Sequence, residues 1–136
     1  MEGFEAPERV MLVIPHPDDG ESGCGGTVAK WVSHGSVVSY VICTNGDKGS
    51  SDSAMTSPRL AEIREEEQKK AAATLGVHEV IFLGYGDGEL EDTHVFRGQI
   101  VRELRRFRPE VVLAMDPFRK QSHSHRDHRI SGQVAL

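Results

Sequence analysis

A chain of 136 residues is long enough for one domain with its own core and too short for two ordinary ones. Hydrophobic residues make up 38% and charged residues 27%, a globular balance, and a net charge of −5 argues against a nucleic-acid surface, which needs a basic footprint. Cys24 and Cys43 are too few for a disulfide scaffold, no apolar run approaches the ~20 residues that span a bilayer, and the acidic start Met-Glu-Gly-Phe-Glu lacks the basic head of a signal peptide, so the expectation is a cytoplasmic protein without a membrane span.

Residues 1–9 carry little pattern. Val10–Ile14 is free of charge and reads as a strand buried on both faces. It turns abruptly into Pro15-His16-Pro17-Asp18-Asp19-Gly20, where Pro17 removes a backbone donor and Asp-Asp-Gly closes the turn. This is ordinary turn chemistry, yet it holds one imidazole and two carboxylates at the carboxyl end of a strand, where open α/β sheets bind ligands. The glycine-rich stretch Glu21–Gly26 is expected to lead into a helix from Thr27 to His34, stopped by Gly35. Gly23, Gly25 and Gly26 match neither a dinucleotide fingerprint nor a P-loop, and are read as sites where helix approaches sheet or backbone approaches a ligand.

Val37–Cys43 is rich in β-branched residues and forms the second expected strand, ahead of a long polar loop in which Asp47 reads as a solvated turn residue. Ser57 as N-cap and Pro58 at the first position open a helix with Leu60, Ile63, Ala71 and Leu75 on one stripe and Gly76 as its end. Glu67 interrupts that stripe one turn after Arg64, a pair read as holding Arg64 toward a site in preference to a snorkelling salt bridge. Val80–Leu83 is the third strand, followed by a glycine-rich loop centred on Asp87. Asp92 or Thr93 caps a helix to about Arg108 with Val95, Phe96, Ile100, Leu104 and Phe107 inward, and Val111–Met115 is the fourth strand. The alternation predicts a Rossmann-like three-layer α/β/α fold, a mostly parallel sheet with right-handed crossovers and its strand-end loops gathered on one rim.

After the fourth strand comes His123-Ser-His125-Arg-Asp127-His128-Arg129, which holds three of the seven histidines. A histidine-rich surface tail explains poorly why the cluster falls on the same rim as His16 and Asp19. His16, Asp19 and one later histidine make the inventory of an open catalytic zinc site, and two histidines with a carboxylate equally suit Fe2+ or another divalent metal. Asp18, His125 and Asp127 remain as the spare ionisable groups that hydrolysis needs.

Pro15-His16-Pro17-Asp18-Asp19-Gly20-Glu21 with the following Gly-Cys-Gly-Gly, the Arg64 helix, Leu83-Gly-Tyr-Gly-Asp87-Gly-Glu-Leu and His125-Arg-Asp127-His128-Arg129 together resemble the LmbE/PIG-L family of zinc-dependent N-deacetylases over nearly the whole chain. The resemblance implies removal of an acetyl group from an N-acetylglucosamine-type sugar or glycoconjugate. It implies His16, Asp19 and His128 as metal ligands, Asp18 as general base, and His125 as the group that steadies the oxyanion and helps protonate the amine. Asp127 would orient an imidazole, and Arg64 and Asp87 would contact sugar hydroxyls. Arg126 stands where family members often have proline, and His123 competes with His125 for the catalytic place. Family proteins run beyond the helix that holds Gln133–Leu136. Residues 1–136 are therefore expected to be a single deacetylase domain lacking its C-terminal portion, with a fourth strand short of a neighbour and exposed apolar surface that favours a homo-oligomer. Two other readings are a non-catalytic sugar- or metal-binding fragment, and an iron(II) oxygenase whose jelly-roll fold conflicts with the alternating pattern.

Overall fold

The structure is a computed structural model that describes residues 5–46, 54–118 and 125–136. A strand with no polar face must be covered on both sides, and strand β1 (Arg9–Ile14) is: every residue from Val10 to Ile14 is buried. Its neighbours are β2 (Val37–Thr44) and β4 (Val111–Ala114), and β3 (Glu79–Tyr85) lies beyond β2, giving the order β3-β2-β1-β4 with every pairing parallel.

Side chains alternate between the two faces of the sheet. Val10, Leu12, Ile14, Val38, Tyr40 and Ile42 pack with Val28 and Ala72 from helices α1 (Asp19–Ser33) and α2 (Ser57–Leu75). Met11, Val13, Val41 and Cys43 pack on the other face with Phe96, Ile100 and Phe107 of α3 (His94–Phe107), and Ile130 and Val134 of α4 (Arg126–Ala135) join them. Full burial of each such aliphatic or aromatic side chain contributes about 1.5–3 kcal/mol. The expected three-layer parallel α/β fold is therefore present. Its order carries a consequence for function: β1, β2 and β3 step outward on one side, then the chain returns across the sheet to place β4 against β1. That reversal is the topological switch point, and its crevice opens at the carboxyl ends of β1 and β4.

Several local expectations are corrected. Helix α1 begins at Asp19, not Thr27, so the glycine-rich stretch is helical and Gly23, Gly25 and Gly26 sit inside it. A Cβ at any of those three would meet nothing within 4 Å, so they are not points of close approach; at Gly20 it would stand 3.2 Å from Ile14 and Tyr40 side-chain atoms, and the approach of helix to sheet is made there. The N-cap of α2 is Thr56, whose hydroxyl accepts from the Arg59 amide, while Ser57 is already helical. Its inward residues are Leu60, Gln68 and Ala72, spaced by eight and four, instead of Ala71; Glu67 points to solvent. Thr93 caps α3 as expected, but Val95 is 68% exposed, because position 95 turns away from the sheet that Phe96 and Ile100 bury against.

Candidate active site

The turn after β1 is fixed from several directions. The Thr44 amide donates to the Pro15 carbonyl at 2.8 Å, which ties the turn to the end of β2. The His16 amide donates to Asp19 Oδ2 at 3.0 Å, folding the carboxylate of the first helical residue back over the loop. Asp18, the N-cap of α1, takes a left-handed conformation with φ 74° and ψ −12°.

The second motif forms the start of α4. His125 is its N-cap, and its Nδ1 accepts from the Asp127 amide at 3.0 Å. With Nδ1 an acceptor, the neutral ring carries its proton on Nε2. The Asp127 side chain is fully buried. It accepts from the Gly88 amide at 2.7 Å and the Leu90 amide at 3.2 Å, and it lies 2.8 Å from His16 Nε2. One carboxylate thus ties together the loop after β3, the start of α4 and the turn after β1. Asp87 Oδ1 stands 3.1 Å from His16 Nε2 and 4.0 Å from His125 Nε2, and His128 Nε2 stands 3.5 Å from Asp19 Oδ2. The three rings cluster, with centroids 4.7 Å apart for His16–His125, 5.3 Å for His16–His128 and 5.6 Å for His125–His128.

Burial alone would lower the pKa of His16, but hydrogen bonds with Asp19 and Asp127 and the charges of Asp19 and Asp87 push it up to about 9. The surrounding carboxylates thus favour the protonated form of this imidazole. Burial moves His128 the other way, opposed by Asp19 and reinforced by His16 and His125, so its imidazole is held neutral, the form that ligates metals. Burial would raise Asp127, yet the Gly88 and Leu90 amides and His16 hold it below the ordinary carboxylate range.

Among the described residues, two sets bring ligand atoms within 4.8 Å of one another: His16, Asp19 and His128, and His16, Asp87, His125 and Asp127. The first set fits a metal ion better. His16 Nδ1 and His128 Nε2 lie 3.4 Å and 3.5 Å from Asp19 Oδ2. Two ligands of a tetrahedral ion with bonds of about 2.0–2.1 Å stand about 3.3–3.4 Å apart. In the second set the 2.8 Å between His16 Nε2 and Asp127 is a hydrogen bond, and Asp127 is already committed to two backbone amides. Asp127 accepting from Nε2–H leaves Nδ1 of the same ring turned to Asp19.

Beside this cluster lies a cavity of about 210 Å³ lined by His16, Pro17, Asp18, Gly46, Arg64 and Asp87. Arg64 Nη1 is 3.5 Å from both Asp18 Oδ2 and Glu67 Oε2, so Arg64 stands on the cavity wall with a carboxylate on each side. All eight side chains singled out from the sequence (His16, Asp18, Asp19, Arg64, Asp87, His125, Asp127 and His128) meet here, whereas Asp47 and His123 lie outside the described residues. Sequence reasoning did not find Gln68, which is fully buried and touches the Asp18 backbone. The available signal was its helical spacing, eight residues after Leu60 and four before Ala72, which puts a polar group on the inward face of α2. It also did not find the Gly88 and Leu90 amides, whose role depends on loop conformation alone.

The model of the family described as GlcNAc-PI de-N-acetylase, PIG-L, matches residues 11–136. The chain is 39% identical over 135 residues to the diacetylchitobiose deacetylase of Thermococcus kodakarensis, covering 99% of this chain and 50% of that protein. The solved N,N'-diacetylchitobiose deacetylase from Pyrococcus horikoshii superposes with a TM-score of 0.92 at 37% identity, over 95% of this chain and 48% of that one. The 4-carboxy-2-hydroxymuconate hydratase GalB of Pseudomonas putida superposes with a TM-score of 0.82 at 26% identity, over 94% of this chain and 54% of that one. The chain thus spans about half the length of the relatives it matches.

Proposed function

The chain belongs to the PIG-L family of GlcNAc-PI de-N-acetylases, and on that premise we propose that it is the part of a zinc-dependent N-deacetylase that carries the metal ligands and the proton-transfer groups. The observation that supports this most is the convergence of His16 Nδ1 and His128 Nε2 on Asp19 Oδ2, with Asp18 and His125 flanking them. The substrate class in this reading is an N-acetylated amino sugar, free or in a glycoconjugate, and residues 1–136 act as a single folding unit around one sheet. No helix of the described residues is long and apolar enough to cross a membrane.

His16, Asp19 and His128 would hold the ion. When bound, a divalent ion such as Zn2+ polarises an amide carbonyl and acidifies water. Asp18 lines the cavity with its carboxylate outward, and takes the proton of the attacking water as the C–O bond forms. The same proton passes to the departing nitrogen when the C–N bond breaks, so the products are acetate and a free amine. His125 directs Nε2–H at the oxygen where negative charge develops, because its Nδ1 is occupied by the Asp127 amide. Asp127 touches no substrate: it holds His16 in the required orientation. Arg64 and Asp87, on the cavity wall, would bond sugar hydroxyls in this reading.

Purified chain is loaded with Zn2+ and assayed for acetate release from N-acetylglucosamine and N,N'-diacetylchitobiose. Metal-dependent acetate release is the expected result. Stoichiometric Zn2+ without acetate release identifies a binding module in place of an enzyme, and conversion of an unsaturated carboxylate in place of an amide assigns hydration.

A further inference from the structure

The start of α1 departs from the arrangement that usually closes a helix N-terminus. In a capping box the N-cap side chain bonds the N3 amide, while a Glu at N3 reaches back to the N-cap amide. Here Asp18 is the N-cap and Glu21 stands at N3, but Asp18 makes no side-chain cap. Its amide instead donates to Gln68 Oε1 at 2.8 Å, and Gln68 Nε2 donates to Glu21 Oε1 at 2.6 Å. A carboxamide from α2 is thus inserted between the two halves of the box. Gln68 is fully buried, so both bonds form away from water, where leaving either partner unsatisfied is costly.

The insertion has a chemical result. A non-glycine residue persists in the left-handed region only when its surroundings hold it there, and the carboxamide holds Asp18 through its amide at φ 74°. Held by its backbone, Asp18 keeps its carboxylate out of helix capping; the side chain is 53% exposed, 3.5 Å from Arg64 and on the cavity wall. We propose that Gln68 is a positioning residue, which fixes the Asp18 backbone through a Gln68–Glu21 relay and so aims the Asp18 carboxylate into the cavity. The functional half of this inference rests on the reading of Asp18 as the proton acceptor.

Gln68→Met removes both bonds at nearly constant length and apolar volume. The expected result is that exchange of the Asp18 amide hydrogen, followed by NMR on the metal-free protein, accelerates about tenfold. In the Zn2+-loaded protein kcat falls about 10- to 100-fold with KM within about threefold and metal stoichiometry unchanged. The inverted pair, Glu21→Gln with Gln68→Glu, again sets one carboxylate against one carboxamide and presents an acceptor to the Asp18 amide. It should recover Asp18 protection, and kcat to within about threefold of the parent protein. Unchanged Asp18 protection in Gln68→Met overturns the proposal, as does full kcat once protection is lost. A folded inverted pair that recovers neither overturns it too, and that pair alone decides the matter where Gln68→Met does not fold. Should the parent protein release no acetate, the deacetylase reading fails by itself, while the hold of Gln68 on Asp18 is still judged by exchange.

Discussion

His16 and Asp127 are 111 positions apart in the chain, yet His16 Nε2 stands 2.8 Å from Asp127 Oδ2. The contact joins the first strand-end turn to the last helix, and it is stiff because Asp127 also accepts from the Gly88 and Leu90 amides. Asp127→Asn keeps the shape but turns an NH2 group toward one of three donors. Metal affinity is expected to fall about 10- to 100-fold, as for other groups that orient a ligating histidine. Stability should fall about 1–3 kcal/mol from the buried donor left unsatisfied. Zn2+ titration and urea unfolding measure the two; unchanged affinity would free His16 from dependence on this carboxylate.

His128 Nε2 stands 3.5 Å from Asp19 Oδ2, beside His16 Nδ1 at 3.4 Å from the same oxygen. His128→Ala should lower Zn2+ affinity by two orders of magnitude or more, roughly the effect of deleting one of three protein ligands. His123→Ala should leave affinity intact. Equilibrium dialysis of the two variants decides, and the opposite ranking reassigns the ligand.

Asp18→Asn preserves a residue type that tolerates the left-handed region and removes only the capacity to accept a proton. Zn2+ binding should persist while kcat falls about 10²- to 10⁴-fold, the range of general-base contributions. Acetate release at the parental rate would remove Asp18 from the proton path.

Gly132 is buried in α4, and a Cβ there would run into the Met115 carbonyl at the end of β4. The obstacle is backbone, so α4 must shift, and α4 carries His128. Gly132→Ala is expected to cost about 1–3 kcal/mol and to weaken metal binding with it. A variant of parental stability, measured by thermal unfolding, would mean that α4 is free to move off the sheet.

Glu79 lies at the base of the sheet, bonded to Arg106 and Ser39. Burial raises its pKa, but those two hydrogen bonds together with the charges of Arg106 and His78 outweigh it and hold the carboxyl below its ordinary value of 4.5. A depressed folded pKa means that the unfolded chain binds the proton more tightly, so the contribution is complete above pH 4.5 and lost as pH falls through the folded value. Arg106 is 44% exposed, so solvent screening limits the effect to about 0.5–1 kcal/mol. Glu79→Gln should be less stable by that amount in urea at pH 7 and equal to the parent at acidic pH. A pH-independent gap would trace the loss to packing.

Sequence alone was sufficient where burial is two-sided or strongly one-sided. Val10–Ile14 reads as a strand because a run with no polar position has nowhere to sit except between two layers, and β1 has no exposed residue from Val10 onward. Phe96, Ile100 and Phe107 recur at helical spacing and are the buried residues of α3. The first imidazole was legible for a local reason, in a polar cluster directly after an apolar strand, and the second as a cluster of histidines further along the chain after β4. Local rules failed where tertiary contact overrode them. Glycine disfavours helix, so residues 19–26 read as a loop, but docking of Gly20 against Ile14 and Tyr40 carries the helix through them. Gln68 is a polar residue whose significance lies in a partner 50 positions away. Above all, the pairing of β4 with β1, not β3, was decided only by the whole sheet. That choice opens the crevice in which His16 and His128 meet, because spatial proximity across more than 100 residues comes from strand order, and strand order is a property of the packed layers.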